Sequence, residues 1–220
     1  MNELDYIINK FNILLKKPPI EILEVNRAIM AKTIYELGYK VGVEIGVAQG
    51  KHSELLLQSN PNLKLFSVDI WERYEGYKEY ANRIDKYYLE AQERLKPFGN
   101  RSLLRKDYSM NVVKNFEDFS LDFVYIDGAH DLMSAVCDIV SWSKKVRVGG
   151  MVYGHDYERR FDSPRSIVHV RDAVDAYMYD YGINPWFILG MGGNHSDGLY
   201  REGVRSWMYI RQEKDRYFNG

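Results

Sequence analysis

The sequence has a single cysteine, Cys137, among 220 residues, which excludes an intrachain disulfide and a metal site built from several thiolates. We expect Cys137 to be a small buried apolar residue on a helix. The chain also lacks any apolar run approaching the ~20 residues of a membrane helix. Its first residues are polar and acidic, unlike a secretory signal. We therefore expect a cytoplasmic protein with no membrane segment.

An excess of charge of either sign is missing as well. Lysine and arginine number 30 against 31 aspartate and glutamate residues. Proteins that wrap nucleic acid or lie on anionic membranes use clustered positive charge, so this balance argues against both partners. The hydrophobic content of 45% provides for one sizeable core, and the length fits one α/β domain with an appendage.

Short apolar segments alternate with helical ones through the middle of the chain. The predicted strands span residues 41–45, 63–68, 102–105, 121–126 and 146–153. Such alternation indicates βαβ units with right-handed crossovers and helices on both faces. The predicted fold is α/β, a doubly wound, Rossmann-like, mostly parallel sheet of seven strands.

The two ends of the chain follow other patterns. Residues 1–37 have helical spacing and predict an N-terminal helical cover, which leaves 38–220 as the main domain. Strand-like segments at 186–189 and 206–210 flank the glycine-rich stretch 190–198, and they predict a C-terminal antiparallel hairpin that closes the sheet.

Tyrosines recur at helical spacing in the segment 74–88. This spacing is more typical of an amphipathic packing face than of a lid that selects an acceptor, and both interpretations stay open. The tyrosines are Tyr74, Tyr77, Tyr80, Tyr87 and Tyr88.

Acidic residues stand at the ends of the predicted strands. In a doubly wound sheet, ligands bind beyond the carboxyl ends of the strands, so these positions are candidates for a site. The acids are Glu44, Asp69, Asp107, Asp127 and Asp156.

A glycine-containing loop, 44–50, follows the first strand of the main domain. It lacks the G-x-G-x-x-G spacing of dinucleotide-binding enzymes and the lysine–serine pair of a P-loop. Glycine there either lets the backbone approach a ligand or only permits a tight turn. Asp69 ends the next strand, where a carboxylate can accept both hydroxyl hydrogens of a ribose; the alternative is a solvated turn aspartate.

Asp127 and Asp156 follow strands that we expect to be neighbours, ~5 Å apart. Two unpaired carboxylates at that separation repel each other unless a cation lies between them, and oxygen ligands suit Mg²⁺. His155 or His130 could complete the set and favour Mn²⁺. His130 is also our candidate general base, with Asp127 as its alternative, whereas His155 could simply orient a loop.

Four segments together resemble the class I S-adenosylmethionine-dependent methyltransferases, and more narrowly the branch of macrocin-type sugar O-methyltransferases. The segments are VEIGVAQG at 43–50, FSVDIW at 66–71, YIDGAH at 125–130 and GGMVYGHDY at 149–157. Each falls at its own predicted strand end, so the ordered set is more specific than any one motif.

The resemblance implies a role for each loop. The loop with Glu44, Gly46 and Gly50 would bind the methionine part of S-adenosylmethionine, and Asp69 its ribose. The adenine would lie against Asp107, Tyr108 and Ser109. Metal-dependent members carry acids at the positions of Asp127 and Asp156 and then an Asp or Asn, where this chain has Tyr157.

We expect methyl transfer to an oxygen of a sugar or other small-molecule hydroxyl compound. Whether a divalent ion, Mg²⁺ or Mn²⁺, takes part is left open. Two alternatives remain: an NAD(P)-dependent oxidoreductase on a similar sheet, and a non-catalytic or nucleic-acid-binding relative. The sequence also leaves the formation of a homo-oligomer open.

Overall fold

An eight-stranded sheet organises the chain in the computed structural model, which describes residues 2–72, 83–163, 166–191 and 204–215. Its strands are β1 (Ile20–Ile22), β2 (Val41–Ile45), β3 (Lys64–Asp69), β4 (Ser102–Lys106), β5 (Leu121–Ile126), β6 (Val146–Gly154), β9 (Phe187–Leu189) and β10 (Ser206–Ile210). They lie in the order β1-β9-β10-β6-β5-β2-β3-β4. The predicted doubly wound, mostly parallel α/β fold is confirmed.

Helices cover both faces of the sheet. They are α1 (Glu3–Lys10), α2 (Arg27–Glu36), α3 (Lys51–Ser59), α4 (Ile84–Leu95), α5 (Ser109–Val112), α6 (Leu132–Ser143) and α7 (Val170–Asp180). One core joins α6 and α7 to the sheet through Trp142, Val174 and Trp207. A second core joins α1, α2 and α3 to the other face around Ile34 and Phe123. None of the described helices is both long and apolar enough to cross a membrane.

The C-terminal hairpin forms as predicted, because β10 pairs antiparallel with both β9 and β6. Between β6 and α7, a small second sheet pairs β7 (Arg160–Ser163) with β8 (Ser166–Val168), which the sequence did not indicate. Most of the glycine-rich stretch and the first tyrosines of 74–88 lie outside the described residues.

The N-terminal segment is more than a helical cover. Its residues Ile20–Ile22 form β1, which pairs parallel with β9 and makes the sheet eight strands wide instead of seven. Ile20 and Ile22 are buried while Glu21 between them is exposed, a two-residue period too short to recognise between helical patterns. After β1, the side chain of Asn26 caps α2 by accepting from the Ile29 amide, and this cap sets Arg27 at the first helical position.

Candidate active site

A cleft of about 790 Å³ opens at the carboxyl ends of β2 to β6. Its walls include Gly46, Asp69, Asp127 and Asp156, which are far apart in the sequence and which parallel strands bring to one rim. The volume lies within the roughly 300–1,000 Å³ of small-molecule sites. The other predicted site residues that line the cleft are Glu44, Asp107, Tyr108, Ser109, His130 and His155.

Asp69 holds the glycine loop in place. Its Oδ2 accepts from the amides of Val47 and Ala48, both at 2.9 Å, and its Oδ1 accepts from the Trp71 amide at 2.9 Å. A carboxylate has about four lone-pair sites, so roughly one acceptor direction remains for a ligand. Trp71 is fully buried and belongs to the core.

Gly50 is the one predicted cofactor residue that does not line the cleft. It caps α3 with φ of 75°, and a Cβ on it would lie 3.3 Å from the Ala91 Cα and 3.2 Å from Leu95. Its lack of a side chain therefore serves the packing of α3 against α4.

Glu44 has a partner that the sequence analysis missed. The carboxylate is 1% exposed, lies 3.2 Å from His52 Nδ1 and accepts from the Ser53 hydroxyl. His52 lines the cleft, and its buried Nε2 has no hydrogen-bond partner among the described residues. The first turn of the helix after a strand lies beside that strand's end, and this proximity could have indicated the pair.

The wall after β4 is polar. Asp107 Oδ1 accepts from the Tyr108 amide at 2.7 Å and from the Asn111 side chain at 2.9 Å. Ser109 donates to the carboxylate of Asp138 on α6. Cys137, predicted to be buried, is on α6 but is exposed and lines the cleft.

Burial raises the pKa of Asp138 to about 6 from an ordinary 3.8, although the Ser109 hydrogen bond opposes the rise. When folding raises the pKa of a carboxyl group, the group contributes its full stabilisation at pH values below the pKa that it has in the unfolded chain. This contribution is lost as the pH rises through the pKa that it has in the folded protein. At neutral pH the folded protein therefore holds a buried, ionised carboxylate at a cost in stability.

Asparagine at position 138 keeps an acceptor for Ser109 and removes that charge. We expect Asp138→Asn to raise the free energy of unfolding by about 1–3 kcal/mol at pH 8 and by little at pH 4. Urea unfolding at both pH values measures the difference, with Asp118→Asn on the surface as control. A gain of equal size at both pH values would contradict the assignment.

Asp156 lies between two histidines. Its Oδ2 is 2.9 Å from His130 Nε2, and its Oδ1 is 3.1 Å from His155 Nδ1. Burial alone would raise the pKa of Asp156, but the two imidazoles hold it well below its usual range. The residue has φ of 52°, the left-handed region where strained residues of functional sites occur.

Asp127 is paired with Arg27, which sequence reasoning missed because it lies outside the main domain's strand ends. The Arg27 guanidinium donates to Asp127 Oδ2 at 3.0 Å and lies 5.9 Å from the Tyr125 ring centroid. The Tyr125 hydroxyl donates to the same oxygen at 3.3 Å. Asp127 and Asp156 thus each have a partner, so the repulsion that we expected between two unpaired carboxylates is already offset.

Three side chains offer ligand atoms within 4.8 Å of one another: Asp127, His130 and Asp156. Two carboxylates and an imidazole suit Mn²⁺ or Mg²⁺. His155, the other histidine that we expected could complete the set, is not in this group; its Nδ1 is 3.9 Å from Asp127 Oδ1.

Residues 43–157, just over half of the chain, match the family described as "Methyltransferase domain". No curated protein matches the sequence.

Among solved structures, the chain is similar to an O-methyltransferase from Bacillus cereus in complex with SAH, with 13% identity, a TM-score of 0.60, and coverage of 96% of this chain and 98% of that one. It is similar to cofactor-bound Rv0187 from MTB, with 15% identity, a TM-score of 0.59, and coverage of 96% and 90%. It also resembles an rRNA methylase from Streptococcus thermophilus, with 13% identity, a TM-score of 0.56, and coverage of 87% and 99%. At these identities the likeness concerns the fold.

Proposed function

The chain belongs to the methyltransferase-domain family, and from that premise we propose that it transfers a methyl group from S-adenosylmethionine to a hydroxyl of a sugar or other small molecule. One observation carries the proposal. The glycine loop held by Asp69 and the His130–Asp156 pair line the same cleft. One part of the cleft therefore has the chemistry to bind a nucleoside, and another part has the chemistry to remove a proton.

The donor set of the cleft fits the cofactor. Asp69 retains an acceptor direction for a ribose hydroxyl, and Asp107, Tyr108 and Ser109 line the part where an adenine would lie. His52 Nε2, buried beside Glu44, suits a polar contact with the methionine part. The bound cofactor supplies the methyl group on a sulfonium, for displacement by an acceptor oxygen held in line.

The chain itself must remove the acceptor proton. Because His130 Nε2 lies 2.9 Å from an Asp156 oxygen, the Nε2–H tautomer is favoured, and the lone pair is on Nδ1. We assign proton removal to that nitrogen. Asp127 is less suited, since Arg27 and Tyr125 already donate to its Oδ2. Asp127 instead positions Arg27.

A second route has a specific observation in its favour, the three ligand atoms within 4.8 Å. In that route Asp127, His130 and Asp156 hold a divalent ion, which would lower the pKa of the acceptor hydroxyl. His130 is then a ligand and not the base, so the two routes predict different responses to chelation.

Calorimetry tests the cofactor assignment. We expect the protein to bind S-adenosylhomocysteine and not NAD. Asp69→Asn should weaken that binding by at least about 1–3 kcal/mol, or roughly 5- to 150-fold, because a ligand hydroxyl loses a charged acceptor and because an amide NH2 group cannot accept from the backbone amides that Asp69 holds. Asp118→Asn, at a residue that does not line the cleft, is the matched control. Binding of NAD without S-adenosylhomocysteine would support the oxidoreductase instead.

A further inference from the structure

Arg27 brings a permanent positive charge to a carboxylate that the candidate metal ligands share. Its guanidinium donates to Asp127 Oδ2 at 3.0 Å. Asp127 is also one of the three side chains whose ligand atoms lie within 4.8 Å of one another, and we call Asp127, His130 and Asp156 the ligand cluster. The side chain of Arg27 is 26% exposed and that of Asp127 is 20% exposed. A pair shielded from water in this way is screened by salt much less than a surface pair.

The local fold holds Arg27 in this position. It is the first residue of α2, whose buried Met30 and Ile34 pack in the core on one face of the sheet. A positive charge is unfavourable at a helix N-terminus, and the Asp127 carboxylate offsets that effect. The guanidinium also lies 5.9 Å from the centroid of the Tyr125 ring, a distance at which a cation is attracted to the ring. The helix, the ring and the carboxylate therefore fix the guanidinium beside the end of β5.

The acidic groups at the strand ends act on Arg27 together. Burial would lower the pKa of Arg27, but four acidic groups around it hold this pKa well above its usual range: Tyr125, Asp127, Glu44 and Asp156. The three carboxylates among them come from the ends of β2, β5 and β6. Arg27 is thus a common positive charge for an acidic rim.

A divalent ion in the ligand cluster would have to share Asp127 with this charge. An ion can displace a proton from a histidine such as His130, and the neutral imidazole is then a ligand. It cannot neutralise Arg27 in the same way, because a guanidinium does not lose its proton in proteins. Ion and guanidinium would both lie against one carboxylate, and their repulsion would weaken the binding of the ion.

We propose that Arg27 is the built-in counter-ion of the ligand cluster and that its charge keeps Asp127, His130 and Asp156 from binding a divalent ion tightly. The competition for Asp127 does not depend on the methyl transfer proposed above, whereas its consequence for turnover rests on that function. With Arg27 in place, His130 stays available as the base. A residue of the N-terminal segment, which precedes the matched domain at 43–157, thereby decides between the two routes.

Replacement of Arg27 by methionine tests the competition through ion binding alone. Methionine keeps an unbranched apolar stem and removes the charge. Titration with Mn²⁺, followed by the electron paramagnetic resonance signal of the free ion, gives the affinity with and without S-adenosylhomocysteine. We expect Arg27→Met to bind Mn²⁺ about 10- to 100-fold more tightly than the wild type. Arg27→Lys, which keeps a positive charge, should gain less.

Two further variants locate the gain. Arg27→Met combined with Asp127→Asn should lose it, because the ion then lacks the carboxylate that Arg27 had occupied. Arg205→Met is the matched control, since the Arg205 side chain is 24% exposed, pairs with the single carboxylate of Glu21 at 2.7 Å and does not line the cleft. Its affinity for Mn²⁺ should stay within about twofold of the wild type.

Thermal unfolding gives a second readout. Without an ion, Arg27→Met leaves the Asp127 carboxylate without its positive partner, so Tm should fall below that of the wild type. Mn²⁺ should then raise the Tm of Arg27→Met and leave that of the wild type unchanged.

Three results would overturn the proposal. The first is a wild type that binds Mn²⁺ as tightly as Arg27→Met, and the second is a gain that persists without the Asp127 carboxylate. The third needs no Arg27 variant to fold: wild-type binding with Kd below about 100 μM that Asp127→Asn abolishes. Binding of S-adenosylhomocysteine is measured separately, so a failed cofactor assignment is distinguished from a failed counter-ion.

Discussion

Glutamine in place of His130 should lower kcat by about 10²–10⁴-fold while the affinity for S-adenosylhomocysteine stays within about twofold. Glutamine can still donate toward Asp156 Oδ2, the partner that lies 2.9 Å from His130 Nε2, so the loop after β5 keeps its tether. It has no basic nitrogen to take the acceptor proton. The loss should therefore fall on the chemical step, and pre-steady-state turnover with saturating cofactor measures it.

His169→Gln is the matched control, because His169 is paired with Asp172 at the start of α7 and does not line the cleft. It should keep the activity of the wild type. A His130→Gln enzyme within about threefold of the wild type in kcat would rule out a role for this histidine in either route.

Exhaustive chelation separates the two roles of His130. If His130 is the base, the activity survives chelation, because Arg27 and the histidines already balance Asp127 and Asp156. If His130 is a ligand, the activity disappears, returns with Mg²⁺ or Mn²⁺, and His130→Gln needs more ion for the same rate. Activity that is lost on chelation and restored by the ion would contradict the base assignment.

The strand ends could be predicted from the sequence because topology alone decides where they meet. Each short apolar run either alternates with a two-residue period or is continuous, as in a strand buried on both faces. Parallel strands joined by right-handed crossovers then bring their ends to one rim. This is why Gly46, Asp69, Asp127 and Asp156 line one cleft although up to 110 positions separate them. No contact between side chains was needed for that inference.

Contacts between distant elements could not be predicted in the same way. Arg27 reaches Asp127 across 100 positions, and nothing in its local sequence distinguishes it from a solvated helix residue. Asp138 is buried by the packing of α6, which depends on tertiary structure.

The exposure of Cys137 could have been predicted from the helical pattern of α6, and our prediction that this residue is buried was wrong. The buried stripe of α6 is Ala135, Asp138, Ile139, Trp142 and Ser143, which recur at spacings of three and four residues. Cys137 lies off that stripe, so its small apolar character did not decide its exposure.

Gly46 offers the prediction with the largest structural effect. Its φ is 83°, and a Cβ there would lie 1.9 Å from the carbonyl oxygen of Asp127 and 2.8 Å from the Gly128 amide nitrogen. Both contacts are with backbone, so no side-chain rotation relieves them. The loop cannot simply move, because the Gly46 amide donates to Val68 and the Asp127 amide to Ile45.

We expect Gly46→Ala to lower the free energy of unfolding by about 2–5 kcal/mol, from ~1–2 for the left-handed backbone and ~1–3 for the collision. Binding of S-adenosylhomocysteine should be lost, since relief of the collision separates the glycine loop from Asp127. Gly38→Ala is the matched control: it also has a positive φ, 70°, but its Cβ would meet nothing within 4 Å. Urea unfolding of both variants isolates the collision, because backbone strain is common to them. If Gly46→Ala proved as stable as Gly38→Ala and still bound the cofactor product, the close approach of β2 and β5 that shapes this cleft would be refuted.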